Sequence, residues 1–198
     1  MMRKLALIAG VLLLASSGAT SAYAQAERTI TPPAGDWIHP SGMHFPATVG
    51  GFTRLTIEAF DQDTDDDVSV AYRNDASTAL MLVSVFLYPT RPGKTCAQEF
   101  DGIMNSVVEA TPQASRTSQR PAAAPSGRKP GSAFYARYTI PAGALREDIP
   151  ALTSDVYLAC SPDGKWNVHY RATWAGDSDQ LGPVMGLMKG LPWGPLAE

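Results

Sequence analysis

The run Asp61-Gln62-Asp63-Thr64-Asp65-Asp66-Asp67-Val68 carries carboxylates at alternate positions, so Asp61, Asp63, Asp65 and Asp67 could converge on one hard cation. The register then departs from a calcium loop. Its sixth position is Asp66, where glycine makes the sharp turn, and its twelfth is Tyr72, where a bidentate Glu closes the shell. A weak divalent-ion site therefore competes with a solvated hairpin turn whose charges discourage edge pairing. His39, Met43 and His44 offer imidazole and thioether ligands of the kind copper takes, with no fourth ligand beside them. The segment Trp166 to Trp174 alternates cleanly, with Trp166, Val168, Tyr170, Ala172 and Trp174 on one side and Asn167, His169, Arg171 and Thr173 on the other. Its apolar side reads as core. Its polar side reads either as a solvent face or as a contact surface for an anionic ligand or partner. In the second case Arg171 supplies a permanent forked donor, and His169 adds charge only when protonated, so binding would tighten as pH falls through roughly 6.5.

Cys96 and Cys160 are the two cysteines, and an even count in an exported chain favours a bridge between them. They are not spaced as the C-x-x-C of a redox pair, and two cysteines fall short of the four ligands of a structural zinc site. The chain has no G-x-S-x-G, H-E-x-x-H, Walker loop or G-x-G-x-x-G, so no catalytic residue and no cofactor is assigned.

These groups have to be positioned by a chain built for export. Arg3 and Lys4 precede an apolar stretch from Leu5 to Ala15, followed by small residues and Ala22-Tyr23-Ala24, so residues 1–24 read as a cleavable signal peptide. The apolar stretch is shorter than the roughly 20 residues that span a bilayer, and no membrane span is expected after cleavage. Without Arg3 and Lys4, 14 Lys and Arg stand against 19 Asp and Glu, a balance that argues against nucleic-acid binding. The expected location is the periplasm or the medium.

Residues 25–51 are rich in Pro and Gly and read as an extended arm docking through Trp37, Ile38, Met43, Phe45 and Phe52. A single domain over 52–193 follows, with a tail at 194–198. Strands are expected at Arg54 to Phe60 and Val68 to Arg73, and Ala79 to Tyr88 is so continuously apolar that it reads as a strand covered on both faces. Thr95-Cys96-Ala97-Gln98 is a capping-box pattern opening a helix that stops near Thr111-Pro112. Residues 111–131 read as a basic Pro/Ala-rich loop, followed by strands at Phe134 to Ile140, Thr153 to Cys160 and Trp166 to Trp174. A closing helix begins near Asp177 or Ser178 and is halted by Pro192. The order is βββα-loop-βββα, and the expectation is an α+β fold: an antiparallel sheet of about six strands with two helices packed on one face.

The segments Phe45-Pro46-Ala47-Thr48-Val49-Gly50-Gly51-Phe52, Cys96-Ala97-Gln98-Glu99-Phe100, Ser154-Asp155-Val156-Tyr157-Leu158 and Trp166 to Thr173, with the closing Leu191-Pro192-Trp193, resemble a group of uncharacterised exported proteobacterial proteins. More loosely, a Phe-Pro and Gly-Phe ahead of a six-stranded sheet with two helices is similar to the Mog1/PsbP-type fold. The first resemblance implies an exported α+β domain and brings no functional residues. The second is a fold with unrelated roles. The function expected is an exported, non-enzymatic domain that binds an unknown protein or small ligand. A weak divalent-metal module and a hydrolase without a recognisable motif are the alternatives.

Overall fold

The computed structural model describes residues 28–74, 81–127, 130–176 and 178–197. The signal-peptide reading, Arg128, Lys129 and Asp177 lie outside the described residues. The strands are β1 (Arg28–Ile30), β2 (Trp37–Ile38), β3 (His44–Phe45), β4 (Thr48–Val49), β5 (Phe52–Ala59), β6 (Val68–Asn74), β7 (Met81–Pro89), β8 (Ser115–Ala123), β9 (Pro130–Ile140), β10 (Leu152–Cys160) and β11 (Trp166–Ala175). The α-helices are α1 (Cys96–Ala110) and α2 (Leu181–Gly190).

The expected sheet of about six strands is overturned. A nine-stranded antiparallel sheet runs β1-β5-β6-β7-β11-β10-β9-β8, with β4 also on β5, and β2 and β3 form a separate pair. The six long strands of the sequence reading are present, and the additions have physical reasons. β8 falls inside the stretch read as a loop. Eight of its nine residues are exposed, so no apolar alternation marks it, and its backbone pairs with β9 as an edge strand that tolerates Pro121. β1 and β4 come from the arm and pair with successive parts of one edge of β5.

The helices also do not share a face. Phe100, Ile103, Met104 and Val107 of α1 pack on Ala136, Tyr138, Val156 and Leu158. Val184, Leu187 and Met188 of α2 belong to the larger core containing Tyr157, Ala159, Tyr170 and Trp174. Side chains alternate across a strand, so Val156 and Leu158 point opposite to Tyr157 and Ala159, and α1 and α2 cover opposite faces. β10 is apolar on both sides, and one layer of helix cannot bury both.

The arm completes the core under α2. Met43, Phe45 and Phe52 are fully buried, whereas Ile38 is exposed. A register shift between Arg54 and Thr56 leaves Leu55 without a partner on β6 and turns Arg54 to the same side as Tyr72. From there the Arg54 guanidinium donates to the carbonyls of Phe45, Pro33 (2.7 Å) and Gly35 (3.0 Å), and the Tyr72 hydroxyl donates to Pro46 O at 2.9 Å. The end of the chain joins the arm as well. Leu196 is buried, and Gly194 (φ 56°) passes so close that an added Cβ would lie 2.5 Å from Gly42 O.

The capping box is present at α1: Gln98 N–H donates to Thr95 Oγ1 (3.3 Å), and Thr95 N–H donates to Gln98 Oε1 (2.9 Å). One residue into the helix, Cys96 is bridged to Cys160 at the end of β10, with Cα atoms 6.0 Å apart. No described helix is long and apolar enough to cross a membrane.

Candidate functional site

α1 covers β9 and β10 and leaves the same face open over β5, β6, β7 and β11. β7 records this in its pattern. Met81, Val83, Val85 and Leu87 are buried beneath α2 and the arm, while Leu82, Ser84, Phe86 and Tyr88 are half-buried. The expectation that this strand is covered on both faces is therefore corrected. Apolar and aromatic side chains that a fully covered sheet would bury stand at the surface here.

Register places the polar row of β11 on this open face. Asn167 lies opposite Tyr88, His169 opposite Phe86, Arg171 opposite Ser84 and Thr173 opposite Leu82. Successive members are about 6.6–6.8 Å apart. The four do not share one environment. Asn167 is fully buried; its side-chain oxygen is 3.4 Å from Thr90 Oγ1, and its Nδ2 has no partner. Thr173 pairs with Ser154 at 3.0 Å between hydroxyl oxygens. His169 stacks on Phe86 at 4.9 Å between ring centroids, and Phe86 stacks on Phe60 at 6.4 Å, a ladder of three rings across the face. His169 is half-buried, yet its Nε2 is sealed from solvent with no hydrogen-bond partner.

That enclosure corrects the proton switch expected near pH 6.5. Burial first, and the Arg171 charge second, push the imidazole down to about 3, so it is neutral between pH 5.5 and 7.5. His39, 1% exposed with its ring nitrogens at Ser41 Oγ (2.9 Å) and Asp66 O (3.2 Å), is also lowered by burial. Both histidines take up protons more readily when unfolded. Their contribution to stability is complete above about pH 6.5 and is lost as pH falls below it, for His169 down to about 3. The decline has a ceiling of about 1.4 kcal/mol per pH unit for each group. Urea unfolding of the wild type should weaken between pH 7 and 5, and His169→Gln should show a shallower decline. Identical slopes would show that this ring does not report the enclosure described.

Arg171 is the charged member of the row. It is half-buried between Ser84 and Val156 in register, and burial lowers its guanidinium pKa while the Tyr138 phenol acts in the opposite direction. Among the described residues no carboxylate forms an ion pair with it. Two other arginines contrast with this: Arg137 on β9 is clamped on Asp155, and Arg91, in the loop between β7 and α1, on Glu99.

The remaining sequence candidates are dispersed. Asp61 Oδ1 accepts the Asp63 N–H at 2.8 Å, Asp65 pairs with Arg28 at 2.5 Å, and Asp67 lines a depression beside Tyr88. Among the described residues no three His, Cys, Asp or Glu side chains gather as a metal site. Met43 is buried in the core and His44 Nδ1 lies 3.6 Å from Asp36, so the copper trio is not assembled. The sequence reading missed Phe86, Tyr88, Arg91 and Glu99. The first two were hidden in a continuous apolar run, and the last two become neighbours only when α1 docks. No family model matches the chain, and no curated protein matches it.

Proposed function

We propose that this chain is an exported, non-enzymatic binding domain that holds an anionic group, carboxylate or phosphate, on the open half of its sheet, with Arg171 as the anchor. The observation that carries this reading is the Arg171 guanidinium, partly withdrawn from water without an ion-pair partner among the described residues. A buried or half-buried charge is costly unless paired, and a ligand anion supplies the pair. Leu82 and Phe86, on either side of Ser84 on the same face of β7, give the ligand apolar surface beside that charge, as small-molecule sites commonly do. The Cys96–Cys160 bridge suits an oxidising compartment and agrees with the export signal read in the sequence. The imidazole of His169 has no hydroxyl or thiol at Nε2 to activate, which favours binding over nucleophilic catalysis.

Calorimetric titration with phosphate, citrate and a short Asp/Glu peptide tests this reading. At least one probe should bind saturably, with Arg171→Ala weakening it about tenfold or more and Arg171→Lys weakening it less, because the charge stays while the fork is lost. Affinity should not change between pH 7.5 and 5.5 on account of His169. Equal affinities for wild type and a folded Arg171→Ala variant would refute the assignment.

A further inference from the structure

The turn at residues 39–43, between β2 and β3, is closed by a histidine whose hydrogen bonds fix where its proton sits. His39 is 1% exposed. The Ser41 N–H lies 3.0 Å from its Nδ1, and a backbone N–H only donates, so Nδ1 is bare and accepts. The one proton of the neutral ring is therefore on Nε2, which donates to Asp66 O at 3.2 Å. The Ser41 hydroxyl oxygen, 2.9 Å from Nδ1, also accepts the Met43 N–H at 3.3 Å. His39 N–H to Met43 O (2.9 Å) and Gly42 N–H to His39 O (2.8 Å) complete the turn. One ring thus ties the arm to the turn between β5 and β6. Trp37 and Trp166 flank it edge-on, with ring centroids 5.8 and 5.0 Å away. Asp66 and Asp65 of the β5–β6 turn attract a proton to the ring, and Asp65 is already paired with Arg28 of β1. On the arm, His44 lies 3.6 Å from Asp36, and beside Trp166, Lys165 lies 3.5 Å from Asp163.

We propose that His39 is an acid-released latch: with Nδ1 bare it holds the arm on the β5–β6 turn, and a proton on Nδ1 opens residues 39–43 and frees that contact. A proton on Nδ1 faces the Ser41 N–H, donor against donor. The Ser41 hydroxyl can rotate to accept it, but the N–H then loses its acceptor, and the ring has to move away. Burial outweighs the attraction of Asp66 and Asp65 and lowers the pKa of the ring, so the latch is closed above about pH 6.5 and opens below it. Met43 and Phe45 stay fully buried in the core, which confines the opening to the turn and its contact with Asp66. The latch stands apart from the anion reading, because Trp166 lies on the opposite row of β11 from Arg171.

Imidazole and amide NMR of the whole isotopically labelled protein, titrated from about pH 7.5 to about 4, tests the latch. His39 should be the Nε2–H tautomer at the upper end. As its ring takes up a proton, the Ser41 and Gly42 amide resonances should move with the same midpoint. Exchange of the Gly42 amide hydrogen should quicken about tenfold or more beyond its intrinsic pH dependence, while that of His44, which donates to Pro192 O, does not. His39→Asn places an oxygen that gains no proton near the position of Nδ1, and should abolish the pH dependence; near-UV circular dichroism establishes that this variant is folded. An Nδ1–H tautomer at the upper end, Ser41 and Gly42 resonances that do not follow the ring, or unfolding of the whole protein before the ring is protonated would overturn the proposal. So would the same pH dependence in folded His39→Asn.

Discussion

Asp155→Ala should destabilise the protein by about 3–5 kcal/mol, the cost of removing one partner from a buried ion pair. Asp155 is 4% exposed on β10, and three donors from β9 satisfy it. Arg137 Nε reaches Oδ1 at 2.7 Å, Arg137 Nη2 reaches Oδ2 at 2.8 Å, and the Tyr135 hydroxyl donates to Oδ1 at 2.9 Å. The same guanidinium lies 5.3 Å from the centroid of the Trp174 ring and reaches Asp179 at 3.0 Å, and Asp179 Oδ1 accepts the Leu181 N–H at the start of α2. One carboxylate thus fixes the arginine that links the sheet to the helix on its larger core. Denaturant midpoints measure the loss. The double variant Asp155→Ala/Arg137→Met should recover part of it, because the stranded cation is then gone. A loss under about 1 kcal/mol in the single variant would show that water or another acid replaces Asp155.

Replacing Cys96 and Cys160 together by Ala should cost about 4 kcal/mol, since the bridge closes a loop between residues 64 apart and so restricts the unfolded chain. It also pins the first turn of α1 to the end of β10, and α1 is the element that covers β9 and β10 beside the open part of that sheet face. Loss of the bridge should therefore reduce the protection of amide hydrogens in α1 before those of β10 and β11. Intact mass of the oxidised protein should fall short of the reduced value by two hydrogens, with both cysteines in one linked peptide. A variant within about 1 kcal/mol of wild type would show that the unfolded chain is already restricted without the bridge.

The parts of the fold legible in the sequence are those fixed by local pattern. The Thr95–Gln98 capping box needs two side chains three residues apart, and the alternation of β11 needs the pleat of one strand; both were readable before any partner was known. The docking of Met43, Phe45 and Phe52 was readable because large apolar residues in a Pro/Gly-rich stretch have to be buried somewhere. The parts that were not legible depend on what lies opposite. β8 is an exposed edge whose identity comes from the backbone of β9. The two helices have similar apolar stripes, and only the two-sided burial of β10 sends them to opposite faces. The charge state of His169 depends on burial under neighbours distant in sequence, so its residue type alone suggested a proton switch that its surroundings remove. Arg171 could be placed on the polar row, but its want of a carboxylate partner is a property of the assembled sheet.

The central claim is that the open half of the sheet binds an anionic group through Arg171, and the most direct measurement is the side-chain Nε–Hε resonance of that residue. Titrating phosphate, citrate and an acidic peptide into isotopically labelled protein should shift the Arg171 resonance saturably with at least one of them. The accompanying backbone shifts should be confined to the strands around Ser84, His169 and Thr173. Shifts spread evenly over all arginines and following ionic strength, or no shift at Arg171 with any probe, would contradict the account.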